Sequence, residues 1–151
     1  MPDGAHPTPS APLQDGEEIL QSFRPDRRTY LRDMAWLSAG AMAAGMAILW
    51  LIGNPHVWTG AVGGLAAIAL RGWYLGSEEL AVRWDLSERR LLGPGGRVAW
   101  LAEIVKINRM ASAVQVITAA GDKYLIKYQA DRDATAGQIR NAVRAAGGNP
   151  A

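Results

Sequence analysis

The feature that most constrains this chain is an uninterrupted stretch without charged side chains, from Met34 to Leu70. None of its 37 residues is Asp, Glu, Lys or Arg, whereas charged residues are frequent on both sides. It opens with an apolar run, 34–53, which as one helix would cross about 30 Å of hydrocarbon. Asn54-Pro55 then interrupts the helix, because a residue that precedes proline disfavours the α region.

A second apolar run follows the break and ends at Arg71. It reaches a full span if the helix continues to about residue 75 and Arg71 extends towards the lipid headgroups. We therefore predict a transmembrane helical hairpin over residues 34–76, with spans at about 34–53 and 55–75. The alternative is a hairpin buried in a soluble protein, which would need the small remainder of the chain to cover all 37 uncharged residues.

Basic residues flank this hairpin on one side only, and the turn between the spans contains none. By the positive-inside rule both termini are then cytoplasmic, and residues 54–56 face the opposite side of the membrane. The residues that set this topology are Arg24, Arg27, Arg28, Arg32 and Arg71.

Small residues recur at four-residue spacing within the two spans, a pattern that lets helices pack closely in lipid. The predicted packing residues are Gly40, Ala44, Gly45, Gly60 and Gly64. The sequence leaves open whether they pair the two helices with each other or with a neighbouring protein.

The rest of the chain divides by composition. Residues 1–15 contain four prolines and almost no large apolar residue, which predicts a disordered tail. Residues 16–33 form a cytosolic approach segment, residues 77–147 a cytosolic domain, and residues 148–151 a short tail.

Alternating apolar residues and turn residues predict an antiparallel sheet in 77–147. The first strand is expected over Leu80–Leu86, and a Gly-Pro-Gly-Gly turn separates the next two. Three further strands follow, and Thr135 with Gln138 forms a capping box for a C-terminal amphipathic helix. Trp84 and Trp100 are expected in the core, since strand tryptophans usually pack there.

This arrangement resembles the bacterial pleckstrin-homology-like (PH-like) membrane proteins. The sequences that carry the likeness are WDLSERRLL at 84–92, with Ser87 in the place of a threonine, and VAWLAEIVKI, AVQVITAAGDKYLIKY, ATAGQIRNAV and the upstream GEEILQSFRP. The resemblance implies a membrane α+β protein, in which a two-helix transmembrane hairpin precedes a small antiparallel PH-like sheet or barrel closed by a C-terminal α-helix. It also implies the bacterial inner membrane as a multi-pass location. With 71 residues, 77–147 is short for seven strands, so one strand is expected to be missing or very short.

No catalytic constellation is evident. His6 lies in the tail and His56 in the turn across the membrane, so they cannot share a site, and the chain has no cysteine. Helix capping and solvation account for the acidic pairs Glu78-Glu79 and Asp131/Asp133. We predict a non-enzymatic protein without catalytic, cofactor-binding or metal-binding residues, and the net charge of +2 does not favour nucleic acid as a partner.

Two functional hypotheses remain. In the first, the PH-like domain is an interaction module that docks on, or assists assembly of, a larger membrane-protein complex, with self-association an open alternative. In the second, the domain senses anionic lipids at the membrane surface. The candidate lipid or partner contacts are Arg83, Arg89, Arg90, Arg97, Arg109, Lys123 and Lys127.

Overall fold

The computed structural model describes residues 12–151, so most of the predicted disordered tail lies outside the described residues. The described part divides into two compact units. The helical unit is Asp26–Ala81, and the sheet unit combines residues 12–25 with Val82–Ala151. Helices together with antiparallel sheets confirm the α+β class.

The helical unit consists of α1, Arg27–Leu51, and α2, Trp58–Ala81, which run antiparallel. Helix α1 begins at Asp26, whose carboxylate accepts a hydrogen bond from the Thr29 backbone N–H at 2.9 Å. It ends before Gly53, which adopts a positive φ of 74° that glycine tolerates best. The predicted break at Asn54-Pro55 is confirmed, because α2 starts only at Trp58.

Helix α2 extends further than the sequence predicted. The alternation Leu80–Leu86 indicated a strand, yet α2 continues through Ala81 and the strand begins at Trp84. The reason is local, since Glu78-Glu79-Leu80-Ala81 is a run of strong helix formers with no breaker in it.

The described residues of the sheet unit form seven strands, one α-helix and two short 3-10 helices at Pro94–Gly96 and Leu101–Glu103. The strands and α-helix are β1 Ile19–Phe23, β2 Trp84–Ser87, β3 Arg90–Leu92, β4 Val98–Trp100, β5 Ile104–Met110, β6 Ala113–Thr118, β7 Lys123–Ile126 and α3 Arg132–Ala145. The first sheet has the order β1-β2-β3-β4, the second has the order β5-β6-β7, and all pairs are antiparallel. The two sheets share no hydrogen-bonded strand pair among the described residues, so the closed barrel offered as one form of the fold is not present.

Strand β1 comes from the segment that the sequence placed outside the domain as an approach to the membrane. It pairs with β2 so that Phe23 lies opposite Trp84 and Ser22 opposite Asp85. The Ser22 hydroxyl also donates a 2.7 Å hydrogen bond to the Asp85 carboxylate. The sheet unit therefore reaches seven strands, although residues 77–147 looked too short to supply them.

Helix α3 packs on β5 and β6 through the predicted apolar stripe, with Ile139 and Val143 fully buried. Its N-cap is Asp131, not the predicted Thr135, and the Asp131 carboxylate accepts from the Ala134 N–H at 3.0 Å. The Thr135 hydroxyl is buried and donates to the Gln129 side chain at 3.0 Å. The helix thus starts one turn earlier than predicted. The core joins this stripe to Trp84, as expected for that tryptophan.

Phe23→Ala tests whether β1 belongs to the sheet unit. Phe23 is 4% exposed within the core, so its truncation should lower the free energy of unfolding by about 3 kcal/mol. Leu20 lies at the bulge of the same strand and is 56% exposed, so Leu20→Ala should change the free energy of unfolding by less than about 0.5 kcal/mol. Denaturant unfolding followed by tryptophan fluorescence measures both, and equal effects of the two variants would contradict the assignment.

Candidate functional site

The two helices of the helical unit meet along a seam of small residues. A Cβ added at Gly60 would overlap the backbone of Gly45, and one added at Gly64 would overlap the backbone of Ala41. At the other end of the seam the Tyr30 hydroxyl donates to the Gly72 carbonyl at 3.1 Å. Three of the predicted packing residues therefore hold α1 against α2, with their backbones in contact.

The other two predicted packing residues lie elsewhere on α1. A Cβ added at Gly40 would meet nothing within 4 Å, and Ala44 is exposed. Gly40 and Ala44 are one helical turn apart and take no part in the seam with α2. We call this pair the outer small-residue pair.

Many large apolar side chains of the helical unit are exposed. Trp73 is 90% exposed, Trp36 is also largely exposed, and α2 buries no residue. Helix α1 is long and apolar enough to cross a membrane, and none of its apolar window is buried. Among the described helices only α1 meets that criterion, so the predicted hairpin of two spans is not established. Helix α2 carries Arg71 directly after its apolar run and Glu78-Glu79 near its end.

The five arginines predicted to set topology are all exposed. Arg27, Arg28 and Arg32 lie in the first turns of α1, and Arg32 contacts Asp33 at 3.3 Å. Arg71 lies on α2 next to Gly72, the partner of Tyr30 at the same end of the seam. Arg24 belongs to the sheet unit, just after β1.

In the sheet unit, a buried polar cluster joins the chain before β1 to the β2–β3 turn. The Arg90 guanidinium donates to both Glu17 oxygens, from Nε at 3.0 Å and from NH2 at 2.5 Å. The Ser87 hydroxyl donates to Glu17 Oε2 at 2.7 Å, and the Gln14 N–H donates to Glu17 Oε1 at 3.0 Å. A second bond from Arg90 NH2 reaches the Pro12 carbonyl at 2.9 Å. The final residues of the predicted tail are therefore held in place.

This cluster changes the acidity of its carboxylate. The hydrogen bonds from Arg90, together with those from Gln14 and Ser87, lower the pKa of Glu17 to about 2 against the opposing effect of burial. The same contact raises the pKa of Arg90 above its usual value. Both groups are ionised at neutral pH and satisfy each other, which is what a charge pair away from water requires.

Arg90 therefore does not fit its predicted role as a surface contact. The residue is 7% exposed, and its guanidinium carbon lies 5.5 Å from the ring centroid of Trp100. Trp100 in turn was expected in the core but is 40% exposed, because it covers Arg90 at the edge of the sheet. The burial of Arg90 depends on its partner Glu17, which lies 73 positions away in the chain.

The other predicted arginine contacts do not gather on one surface. Arg83 is mostly buried and contacts Asp85 at 3.1 Å, while Arg109 contacts Asp133 of α3 at 2.7 Å. Arg89 and Arg97 are exposed at the ends of β3 and β4.

The predicted lysines lie on a different surface, the outer face of the second sheet. Lys123 is exposed on β7 and Lys127 follows the strand. Lys106 joins them on β5, a position that the sequence did not single out. An irregularity between Ile104 and Lys106 breaks the alternation there, so the sequence alone did not show on which face of the sheet Lys106 lies. We call the surface around Lys106, Ile117, Lys123 and Leu125 the lysine face.

The carboxylates near α3 make structural contacts, and the described histidine lies apart from them in the chain. Asp131 caps α3, Asp133 contacts Arg109, and His56 lies in the turn between α1 and α2. Within residues 12–151, no group of three or more His, Cys, Asp or Glu is placed to hold a metal ion.

Glu17→Gln should lower the free energy of unfolding of the sheet unit by about 3 kcal/mol, because it leaves Arg90 buried without a counter-charge. Since the folded pKa is depressed, Glu17 contributes stability above about pH 4.5 that is lost as the pH falls towards 2. The unfolding free energy of Glu17→Gln should therefore fall less than that of the wild type across this acid range.

Glu18→Gln is the matched control, because the neighbouring Glu18 is exposed and should leave both the midpoint and the acid profile unchanged. Denaturant titrations across the acid range measure both variants. If the stability of Glu17→Gln depended on pH as steeply as that of the wild type, another group would be responsible for the acid sensitivity.

Gly60→Ala and Gly63→Ala should act in opposite directions on the helical unit. A methyl group at Gly60 overlaps the Gly45 backbone and should cost about 1–3 kcal/mol. A methyl group at Gly63 meets nothing within 4 Å and should stabilise the helix by about 0.5–1 kcal/mol. Thermal unfolding in mild detergent, followed by far-UV circular dichroism, measures the difference, and a neutral Gly60→Ala would argue against the seam.

No protein-family model, no curated protein and no solved structure matches this chain. The resemblance to bacterial PH-like membrane proteins therefore stays a prediction, and the function proposed below is argued from the geometry.

Proposed function

We propose that this chain is a non-enzymatic protein of the bacterial inner membrane. In this proposal α1 and α2 anchor it as a hairpin, and the sheet unit is a cytosolic PH-like interaction module. The module docks on, or assists assembly of, a larger membrane-protein complex.

The observation that carries the proposal is the uncovered apolar surface of the helical unit. Its side chains are apolar on the outside, while glycines and alanines form the inner seam. A water-soluble helix pair has the reverse arrangement, with apolar side chains inside and polar side chains outside. Helices that associate in lipid use small residues at the contact and large apolar residues towards the acyl chains.

Exposed arginines at one end of the hairpin support an orientation with both termini in the cytoplasm. The turn around His56 would then lie on the opposite side, and Arg71 would extend its guanidinium towards the headgroups at the cytoplasmic end of α2. This location of Arg71 is compatible with a second span.

Docking on another membrane protein is supported by the outer small-residue pair. Gly40 and Ala44 offer a close-packing surface that the seam with α2 does not use. A helix of a partner protein can approach such a surface closely, and the contact would add to that made by the sheet unit.

The sheet unit supports the module part of the proposal. Two antiparallel sheets of four and three strands, followed by one C-terminal helix, support the proposal of a PH-like module, which would have seven strands and a closing helix. The carboxylates with lowered pKa values have structural environments, since Glu17 pairs with Arg90 and Asp26 caps α1. These environments favour a binding role over acid–base catalysis.

The test is a mild-detergent purification of the tagged chain from native membranes, followed by mass spectrometry. We expect a stoichiometric membrane-protein partner with the wild type and with Gly63→Leu, which changes an exposed glycine of α2. Gly40→Leu should lose the partner because its side chain blocks the outer small-residue pair.

Two results would contradict the proposal. A wild-type chain that purifies alone would argue against docking, and retention of the partner by Gly40→Leu would argue against this surface. Capture of only a second, differently tagged copy would replace the partner complex with self-association.

A further inference from the structure

The lysine face brings two cations to either side of an apolar residue. In the register of the second sheet, Lys106 lies opposite Ile117, and Ile117 lies opposite Lys123. The two lysines therefore occupy the outer strands of one row, about 10 Å apart at the usual strand spacing. Both are exposed.

The outward positions of β5, β6 and β7 contain no carboxylate. The nearest acidic residues, Glu103 and Asp122, precede β5 and β7 and lie in the connecting turns. Arg109 is opposite the buried Val114 and contacts Asp133 of α3, so its charge belongs to the other side of the sheet. The outward strand positions are thus cationic, whereas Arg83, Arg89 and Arg90 around the first sheet each contact a carboxylate.

Apolar side chains on this face are also exposed. Leu125 is 40% exposed opposite Gln115, and Met110 is 49% exposed at the end of β5. Asn108 donates from its side chain to Gln115 at 3.1 Å, so the polar groups in the middle row satisfy each other. The face combines separated cations with apolar groups able to enter a headgroup layer.

We propose that the lysine face docks on anionic lipid headgroups of the bilayer that holds the α1–α2 hairpin. This inference rests on the proposed function, because it needs the hairpin in the membrane. It assigns the lipid contact to Lys106 and Lys123, where the sequence had pointed mainly to arginines.

The size of the face favours a bilayer over a protein partner. Three strands at the usual spacing present on the order of 300 Å². A stable protein interface takes about 800 Å² from each partner. A bilayer surface needs no minimum area, because the anchored hairpin already keeps the sheet unit at a high effective concentration beside it. Each lysine near an anionic surface should shift the docking equilibrium by about fivefold.

The experiment uses the full chain in vesicles and exploits its lack of cysteine. Leu125→Cys carries an environment-sensitive fluorophore on the lysine face, and Gln138→Cys carries it on the exposed side of α3. The vesicles are phosphatidylcholine alone or phosphatidylcholine with equal phosphatidylglycerol. Flotation of each sample reports anchoring, and the emission maximum reports contact of the face with lipid.

We expect every variant to float with both kinds of vesicle. Emission from the Leu125→Cys label should shift to the blue only with phosphatidylglycerol, and added salt should reverse it. Lys106→Glu/Lys123→Glu should abolish the shift, and the milder Lys106→Gln/Lys123→Gln should weaken docking by about 30-fold. Arg97→Glu/Arg144→Glu makes the same charge change at exposed sites outside the face and should keep the shift.

Failure to float would overturn the proposed anchoring and this inference with it. Flotation with the same emission in both lipids would overturn the lysine face alone, as would a shift that survives Lys106→Glu/Lys123→Glu. A blue shift that appears only after native membrane extract is added would instead assign the face to an acidic protein.

Discussion

The buried pairing of Glu17 with Arg90 is the interaction on which the sheet unit depends. It joins the chain before the hairpin to the chain after it, next to the β1–β2 pairing that does the same through the backbone. A buried ion pair adds little net stability compared with apolar packing, but breaking it is costly because one charge is left alone. We interpret the pair mainly as a device that selects the register in which the N-terminal segment joins the sheet.

The sheet unit is formed by one segment before the two helices and one after them, and this constrains the chain between the segments. The chain leaves the sheet unit after Phe23 and returns opposite it at Trp84, so the intervening segment must end close to where it began. An antiparallel helix pair meets this requirement, and the Gly45–Gly60 contact keeps the pair closed.

The basic residues lie in different environments, which a count of charges does not distinguish. Arginines at the start of α1 are exposed beside the apolar surface, Arg90 is enclosed by Glu17 and Trp100, and Arg109 contacts α3. Lysines occupy the outer face of the second sheet. Guanidinium groups suit bidentate and stacked contacts such as those of Arg90, whereas the hydrated ammonium of lysine suits an open surface.

Features that depend on neighbouring residues were predictable from the sequence alone. Local pattern and backbone preference predict the uncharged stretch broken at Asn54-Pro55, the turns at glycine, the core position of Trp84 and the apolar stripe of α3. Contacts between distant segments were not predictable in this way and emerge from the folded chain. The place of β1, the burial of Arg90, the exposure of Trp100 and the alignment of Lys106 with Lys123 depend on strand register and on a partner far away in the chain. Local periodicity cannot encode them, because a shift of one residue in register moves every side chain to the other face.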